Sequence, residues 1–227
     1  AILQAFKIVC TALVRLPFAY VLVGCPSYLS IVLYYVLLFF VLEYGGRKGS
    51  WKVGAVLSAA LFCAVFENPL FRKENTIAFL DVGQGDAAVI STYDGAAYLV
   101  DGGGKFGQDF GENVGKRIVL PYLEYLGVSA LDGAFLSHPD SDHMTGLLEV
   151  LETVPTKGLY LSDYAFAENE QTDLLKEMVE KHNIPLYTIK TGDSSLEDTF
   201  LCLYPTGASA GTGEENRGSM VLRYSVW

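Results

Sequence analysis

Two of the chain's three histidines, His138 and His143, fall in the stretch "SHPDSDH" (residues 137–143), interleaved with Asp140 and Asp142. Imidazole nitrogens and carboxylate oxygens are ligands for divalent metal ions, and a loop lets positions i, i+2, i+4 and i+5 converge on one side. Because adjacent Asp142 and His143 point differently, they can serve one ion while His138 and Asp140 serve another. Two ions about 3.5–4 Å apart hold a bridging hydroxide and stabilise both the attacking and the leaving oxygen. The plainer alternative is that Asp140 or Asp142 caps the next helix and the histidines are bystanders. Capping uses one acid, however, not two acids and two histidines.

Such a loop needs a strand to enter it and a helix to leave it, and the flanking residues supply both. "DGAFLS" reads as a strand, and "HMTGLLEVLETV" places apolar residues at 144, 147, 148 and 151, a helical stripe. Upstream, "TIAFLDV", "AAVIST" and "AYLVD" read as strands separated by "GQGD" and the turn "YDGA". Downstream follow strand "GLYLS", helix "NEQTDLLKEMVEKHN", strand "PLYTI" and hairpin "FLCLYP". Strand hairpins followed by strand–helix alternation predict α/β layers rather than an all-β barrel. The glycine-rich "DGGGKFG" lacks the GxxxxGK[ST] phosphate cradle and is expected to be a flexible loop flanking a substrate groove.

The charge divides the chain in two. Residues 1–72 carry a net +4 and residues 73–227 a net −14, which together give the overall −10. The first part contains "YLSIVLYYVLLFFVLEY" (28–44) and "VGAVLSAALFCAVF" (53–66), separated by the basic turn "GGRKGSWK". Runs of this kind predict a helical hairpin crossing the membrane twice, preceded by an interfacial or partial helix ending before Pro17. The positive-inside rule then places the turn with Arg47, Lys48 and Lys52 in the cytoplasm and residues 73–227 on the outer face. The −14 balance excludes a generic DNA-binding surface, although Lys105, Lys116 and Arg117 offer a local basic patch. Cys10, Cys25, Cys63 and Cys202 form no CxxC pair and are expected to be small buried apolar residues.

"SHPDSDH" resembles the metal signature His-x-His-x-Asp-His of the metallo-β-lactamase superfamily, with Asp140 in place of the second histidine. Together with "FLDVGQGDAAVI", "YLVDGGG", "LPYLEYLGVSALDGAFLSHPDSDH" and "ENRGSMVLRY", it resembles the C-terminal domain of ComEC-type competence proteins, which pass DNA into naturally transformable bacteria. Residues 1–72 resemble the last membrane segments of that family. The resemblance implies an αββα sandwich over residues 73–227, incomplete at its C-terminus. It implies two divalent ions, Mn or Zn, at strand ends: one on His138 and Asp140, the other on Asp142 and His143. Asp81 and Asp101 are implied as catalytic carboxylates beside the site, and both also fit turn-forming Asp before glycine. Gln84, Asp86, Lys105, Asn216 and Ser219 are the candidate substrate contacts.

The superfamily's later metal histidine has no clear match, because His182 in "VEKHN" reads as a helix C-terminal residue favoured by the helix dipole. A bridging aspartate would follow Trp227, so the sequence is expected to be a piece of a longer protein holding half of a site. The function expected is a membrane-anchored, metal-dependent nuclease that degrades the DNA strand not taken up. Its partners would be DNA, the lipid bilayer, other competence proteins and the remainder of its own chain. A catalytically silent channel module and a surface hydrolase of a non-nucleic substrate are the alternatives. The oxygen ligand Asp140 makes the site harder than an all-histidine zinc site and shifts its preference toward manganese.

Overall fold

The computed structural model describes residues 2–16, 22, 24–70, 74–104, 114–163, 170–205 and 218–225. Three helices come first: α1 (Ile2–Val14), α2 (Tyr28–Tyr44) and α3 (Ser50–Leu70). The Ser27 side chain accepts a hydrogen bond from the Ser30 N–H and so caps α2. The Ser30 hydroxyl, buried in the crossing, donates to the Ala64 carbonyl at 2.9 Å and ties α2 to α3. Away from that contact the helix is apolar all round: Tyr28, Val32, Tyr35, Phe39 and Leu42 form an exposed stripe at helical spacing.

The hairpin therefore forms, but two complete membrane crossings do not follow from it. Among the described residues no helix is long and apolar enough to cross a membrane. With 17 residues, α2 is about 25 Å long at the usual helical rise, short of a hydrocarbon core of about 30 Å. In α3 the charge-free run is confined to residues 53–66, between Lys52 and Glu67.

The second part is layered. A six-stranded sheet runs β1 (Thr76–Phe79), β2 (Ala88–Ser91), β3 (Ala97–Val100), β4 (Gly133–Leu136), β5 (Leu159–Ser162) and β6 (Leu186–Ile189), in chain order across the sheet. Pairings among β1, β2 and β3 are antiparallel, and those from β3 to β6 are parallel. The parallel strands are joined by helices: a π-turn (Gly115–Val119) running into α4 (Leu120–Leu126), then α5 (Ser141–Leu151) and α6 (Glu170–Lys181). A second sheet holds β7 (Ser194–Ser195), β8 (Phe200–Tyr204) and β9 (Val221–Tyr224), all antiparallel.

Strand alternation builds two cores. Val89, Leu99, Ala134, Leu136, Leu159 and Leu161 face the helices, where they meet Leu147, Leu148 and Leu151 of α5 and Leu175 and Val179 of α6. Their neighbours Ile90, Tyr98 and Phe135 face the second sheet and pack with Phe200, Cys202 and Met220. Each fully buried Leu or Phe contributes about 1.5–3 kcal/mol, so the central sheet is fixed from both sides. Helix, sheet and sheet are three layers of the expected sandwich.

Of the cysteines only Cys202 is buried; Cys25 and Cys63 are exposed and Cys10 is intermediate. The expectation of four buried cysteines is thus corrected, because Cys10 and Cys63 sit on helices, and Cys25 in the segment before α2, whose surfaces the described residues leave uncovered.

Candidate metal centre

β3 and β4 lie side by side in parallel, so their C-terminal ends deliver Asp101 and Ser137 to the same edge. Asp101 is 4% exposed and has φ 57°, a left-handed conformation that Asp tolerates better than most residues. Its Oδ1 accepts from the Ser137 N–H at 2.7 Å, and its Oδ2 accepts from the Ser137 hydroxyl at 2.7 Å. The same Oδ2 lies 2.9 Å from His143 Nδ1.

These contacts determine the tautomers. An ionised carboxylate only accepts, so His143 Nδ1 carries the proton. Ser137 has one hydroxyl proton, and it goes to Asp101; Ser137 Oγ, 2.9 Å from His138 Nδ1, must therefore accept from that nitrogen. Both histidines keep Nδ1–H, and both Nε2 lone pairs remain for a ligand. The two rings lie 4.1 Å apart between centroids.

Asp140 is the N-cap residue of α5 by backbone geometry, yet its side chain makes no capping hydrogen bond. Its Oδ2 instead lies 3.4 Å from His138 Nε2. Asp142, in the first turn, has Oδ2 3.9 Å from His143 Nε2. The capping reading of these acids is therefore set aside for Asp140. Ligand atoms of His138, Asp142 and His143 all lie within 4.8 Å of one another, close enough to hold a metal ion. This grouping differs from the pairs expected from sequence: His138 joins Asp142 and His143, while Asp140 flanks the group through His138.

The helix is held in place by backbone on backbone. Gly102 N–H donates to the His143 carbonyl at 2.8 Å, and Gly146 N–H to the Gly103 carbonyl at 2.9 Å. A Cβ at Gly146 would stand 2.0 Å from the Gly102 oxygen, and one at Gly85 1.6 Å from the Asp142 oxygen. "DGGG" is accordingly a buried docking surface for α5 over residues 101–104, not the flexible loop expected; residues 105–113 lie outside the described residues.

Around the histidines a cavity of about 610 Å³ is lined by Phe79, Asp86, Ala88, Val100, Asp101, Ser137, His138, Asp140, Asp142, His143, Ser219 and Met220. Met220 N–H donates to the Ser137 carbonyl at 2.8 Å, so the strand after "ENRGS" closes one wall. Burial pushes the His143 pKa down, but the hydrogen bond and charge of Asp101, with the charges of Asp142 and Asp86, outweigh it and leave it above its ordinary 6.5.

The other sequence-derived residues are placed as follows. Asp81 is exposed and does not line the cavity, and Gln84 is exposed and pairs by backbone with Gly104. Neither is brought to the histidines. Asp101, expected as a catalytic carboxylate beside the site, does line the cavity, where its carboxylate is engaged by Ser137 and His143. Asp86 and Ser219 do line the cavity. Lys105 and Asn216 lie outside the described residues. Lys116 pairs with Glu152 at 3.0 Å, and neither it nor Arg117 lines the cavity, so the described part of the expected basic patch is not at the site. His182, just after α6, does not line the cavity either. Sequence reasoning missed Ser137 and Phe79; the first was legible only as part of "SHPDSDH", and the second carried no motif.

A model of the family described as "Metallo-beta-lactamase superfamily" matches residues 80–213, more than half of the chain. The chain belongs to the metallo-beta-lactamase superfamily. By class it is a metal-dependent hydrolase, and the His/Asp cluster sits where this superfamily chain offers donor atoms for a divalent ion. It is also similar to ComE operon protein 3 of Bacillus subtilis (strain 168), with 21% identity over 167 residues, covering 70% of this chain and 21% of that protein. The chain thus spans about a fifth of the length of this relative, and the ComEC-like character read from the motifs stands on the same match. A solved structure from Thermotoga maritima, described as of metallo-beta-lactamase type, is similar over 66% of this chain and 68% of its own, with 11% identity and a TM-score of 0.41.

Proposed function

We propose that this superfamily chain is the hydrolase part of a DNA-uptake protein, a metal-dependent phosphodiesterase that cuts the DNA strand not taken up. The observation that carries the metal-dependent reading is that His138 and His143 are each tied through Nδ1, to Ser137 and Asp101, which leaves both Nε2 atoms as the ligand atoms beside Asp142. This donor set fits a divalent ion, with His138, Asp142 and His143 as ligands and Asp140 beside them for a second. Such ions supply a hydroxide nucleophile and a Lewis acid for the phosphoryl oxygens. The chain's own residues do the positioning. Asp101 holds the His143 ring, Ser137 holds the His138 ring, and the docked glycines set the start of α5. The nucleic-acid assignment draws its support from the similarity to ComE operon protein 3.

The N-terminal helices are proposed to seat the chain at the cell membrane, on the strength of the exposed apolar stripe of α2. The partners would be the bilayer and the rest of a longer protein, with the hydrolase part on the outer face. A single cysteine at Tyr93, in a background lacking the native four, tests the sidedness with an impermeant maleimide on intact cells. Labelling at Tyr93 supports it, and protection until the cells are opened overturns it. For the chemistry, the full 227-residue chain is incubated with DNA and MnCl₂. Cleavage that is abolished by His143→Ala and by Asp142→Ala is expected. Cleavage that survives both substitutions, or none with any divalent ion, would sink the hydrolytic reading.

A further inference from the structure

Electrostatically the cavity is one-sided. It carries four aspartates, and among the described residues no lysine or arginine lines it. The described lining thus offers an anionic phosphodiester no side-chain cation, and the uncharged part of the substrate is a further source of affinity.

The opposite wall provides for that. Phe79 pairs with Ala88 across β1 and β2, and Ala88 pairs with Val100 across β2 and β3, so the three form one register row. Side chains directly opposite one another share a face of a sheet. This is the face on which Ile90 and Tyr98 meet the second sheet, but at this end the second sheet leaves the row open to the cavity. Val100 immediately precedes Asp101, so the row runs from the metal centre outward to the sheet edge. Ala88 and Val100 are small and form a shallow ledge. At its end Phe79 is 83% exposed, an aromatic ring standing free on an edge strand. Among the described residues Phe79 belongs to neither core.

We infer that Phe79 is a stacking platform for an unpaired nucleobase, with the ledge of Ala88 and Val100 carrying the adjoining sugar toward the metal centre. This inference rests on the phosphodiesterase reading and narrows its substrate to single-stranded nucleic acid. Bases in a duplex are already stacked on one another and offer no free face. Stacking is also indifferent to which base is present, so the site selects strandedness rather than sequence.

The test uses the full 227-residue chain, as wild type, Phe79→Ala and Phe79→Trp, with a single-stranded oligonucleotide carrying one 2-aminopurine and a matched oligonucleotide with an abasic site there. Base stacking at Phe79 predicts fluorescence quenching on binding in the presence of Mn²⁺, lost in Phe79→Ala and kept in Phe79→Trp. In cleavage, Phe79→Ala raises KM on the order of ten-fold while kcat holds, and it abolishes the difference between the normal and abasic oligonucleotides. A merely structural role would not remove that difference. Quenching equal in wild type and Phe79→Ala, an unchanged KM, or no binding at all overturns the platform. Cleavage that persists with an unchanged KM leaves the phosphodiesterase standing without it. Phe79-dependent quenching without cleavage leaves the platform and removes the phosphodiesterase.

Discussion

Replacing Asp101 with Asn should disable the metal centre without unfolding the chain. The two side chains are nearly the same shape, and Asn also tolerates a left-handed backbone, so φ 57° adds little strain. The Asn carbonyl can still accept from the Ser137 N–H, as Asp101 Oδ1 does at 2.7 Å. Its amide nitrogen then faces Ser137 Oγ and His143 Nδ1, where it can only donate. His143 must shift its proton to Nε2 to present an acceptor. Ser137 Oγ now accepts from the amide, and its own proton turns to His138 Nδ1, which drives that proton to Nε2 as well. One substitution thus reverses two tautomers and blocks two donor atoms. Changing the partner of a single ligating histidine typically costs 10–100-fold in metal affinity. With both affected, the upper end applies, about 100-fold, or roughly 2.7 kcal/mol. Isothermal titration of Mn²⁺ or Zn²⁺ into the metal-free chain measures this, with urea unfolding of the metal-free form as the control for folding. Ser137→Ala provides the half-effect, because it releases His138 but leaves the Asp101–His143 bond. Asp101→Asn with native stability and wild-type metal affinity would refute the tautomer reasoning.

Other expectations follow from the same geometry. In the metal-free chain the folded pKa of His143 is raised, so its contribution to stability is complete below the unfolded value of 6.5 and is lost as pH rises through the folded value. Metal affinity runs the other way, growing with pH through that same window, and parallel unfolding and titration series between pH 5.5 and about 8.5 would expose a wrong sign. Saturating MnCl₂ should raise the melting temperature relative to EDTA, by the equivalent of about 2.7 kcal/mol at a hundred times Kd, and His143→Ala should show no such rise. Gly146→Ala should destabilise by at least about 1–3 kcal/mol in urea unfolding and weaken metal binding, because its Cβ would force Gly102 away from α5. Gly46→Ala, with nothing near its added Cβ, is the neutral control, and equal losses for the two would count against the docking.

What could be read in advance was whatever local pattern determines. Alternation placed β2, β3, β4 and β8, and the stripe at 144, 147, 148 and 151 placed α5, because these residues meet cores directly above and below them. The loop "SHPDSDH" declared itself because its residue types are costly to combine without a ligand. The roles within the site were not legible. Asp101 and Asp81 look alike in sequence, each at a strand's end with a glycine within two residues, yet the parallel register of β3 with β4 puts Asp101 against Ser137 whereas Asp81 is exposed. Phe79 lies in an ordinary apolar strand, and its exposure depends on where the second sheet ends. β7, two residues long, is too short to show a period. The membrane crossings were over-read because hydropathy registers apolar character, whereas spanning also requires uninterrupted length.

The order of strands in the six-stranded sheet has a consequence for how the centre is made. Each strand's neighbour in space is its neighbour in the chain, so during synthesis every strand emerges beside a partner already present, and pairing needs no distant search. The histidine loop is complete once α5 has docked on Gly102 and Gly103. Its remaining wall arrives much later, when Met220 bonds to Ser137 at the start of β9, the last described strand. Ligand side chains are therefore gathered early and enclosed late. During that interval the nascent chain holds an exposed His/Asp cluster in which a metal ion can be captured before the cavity around it exists.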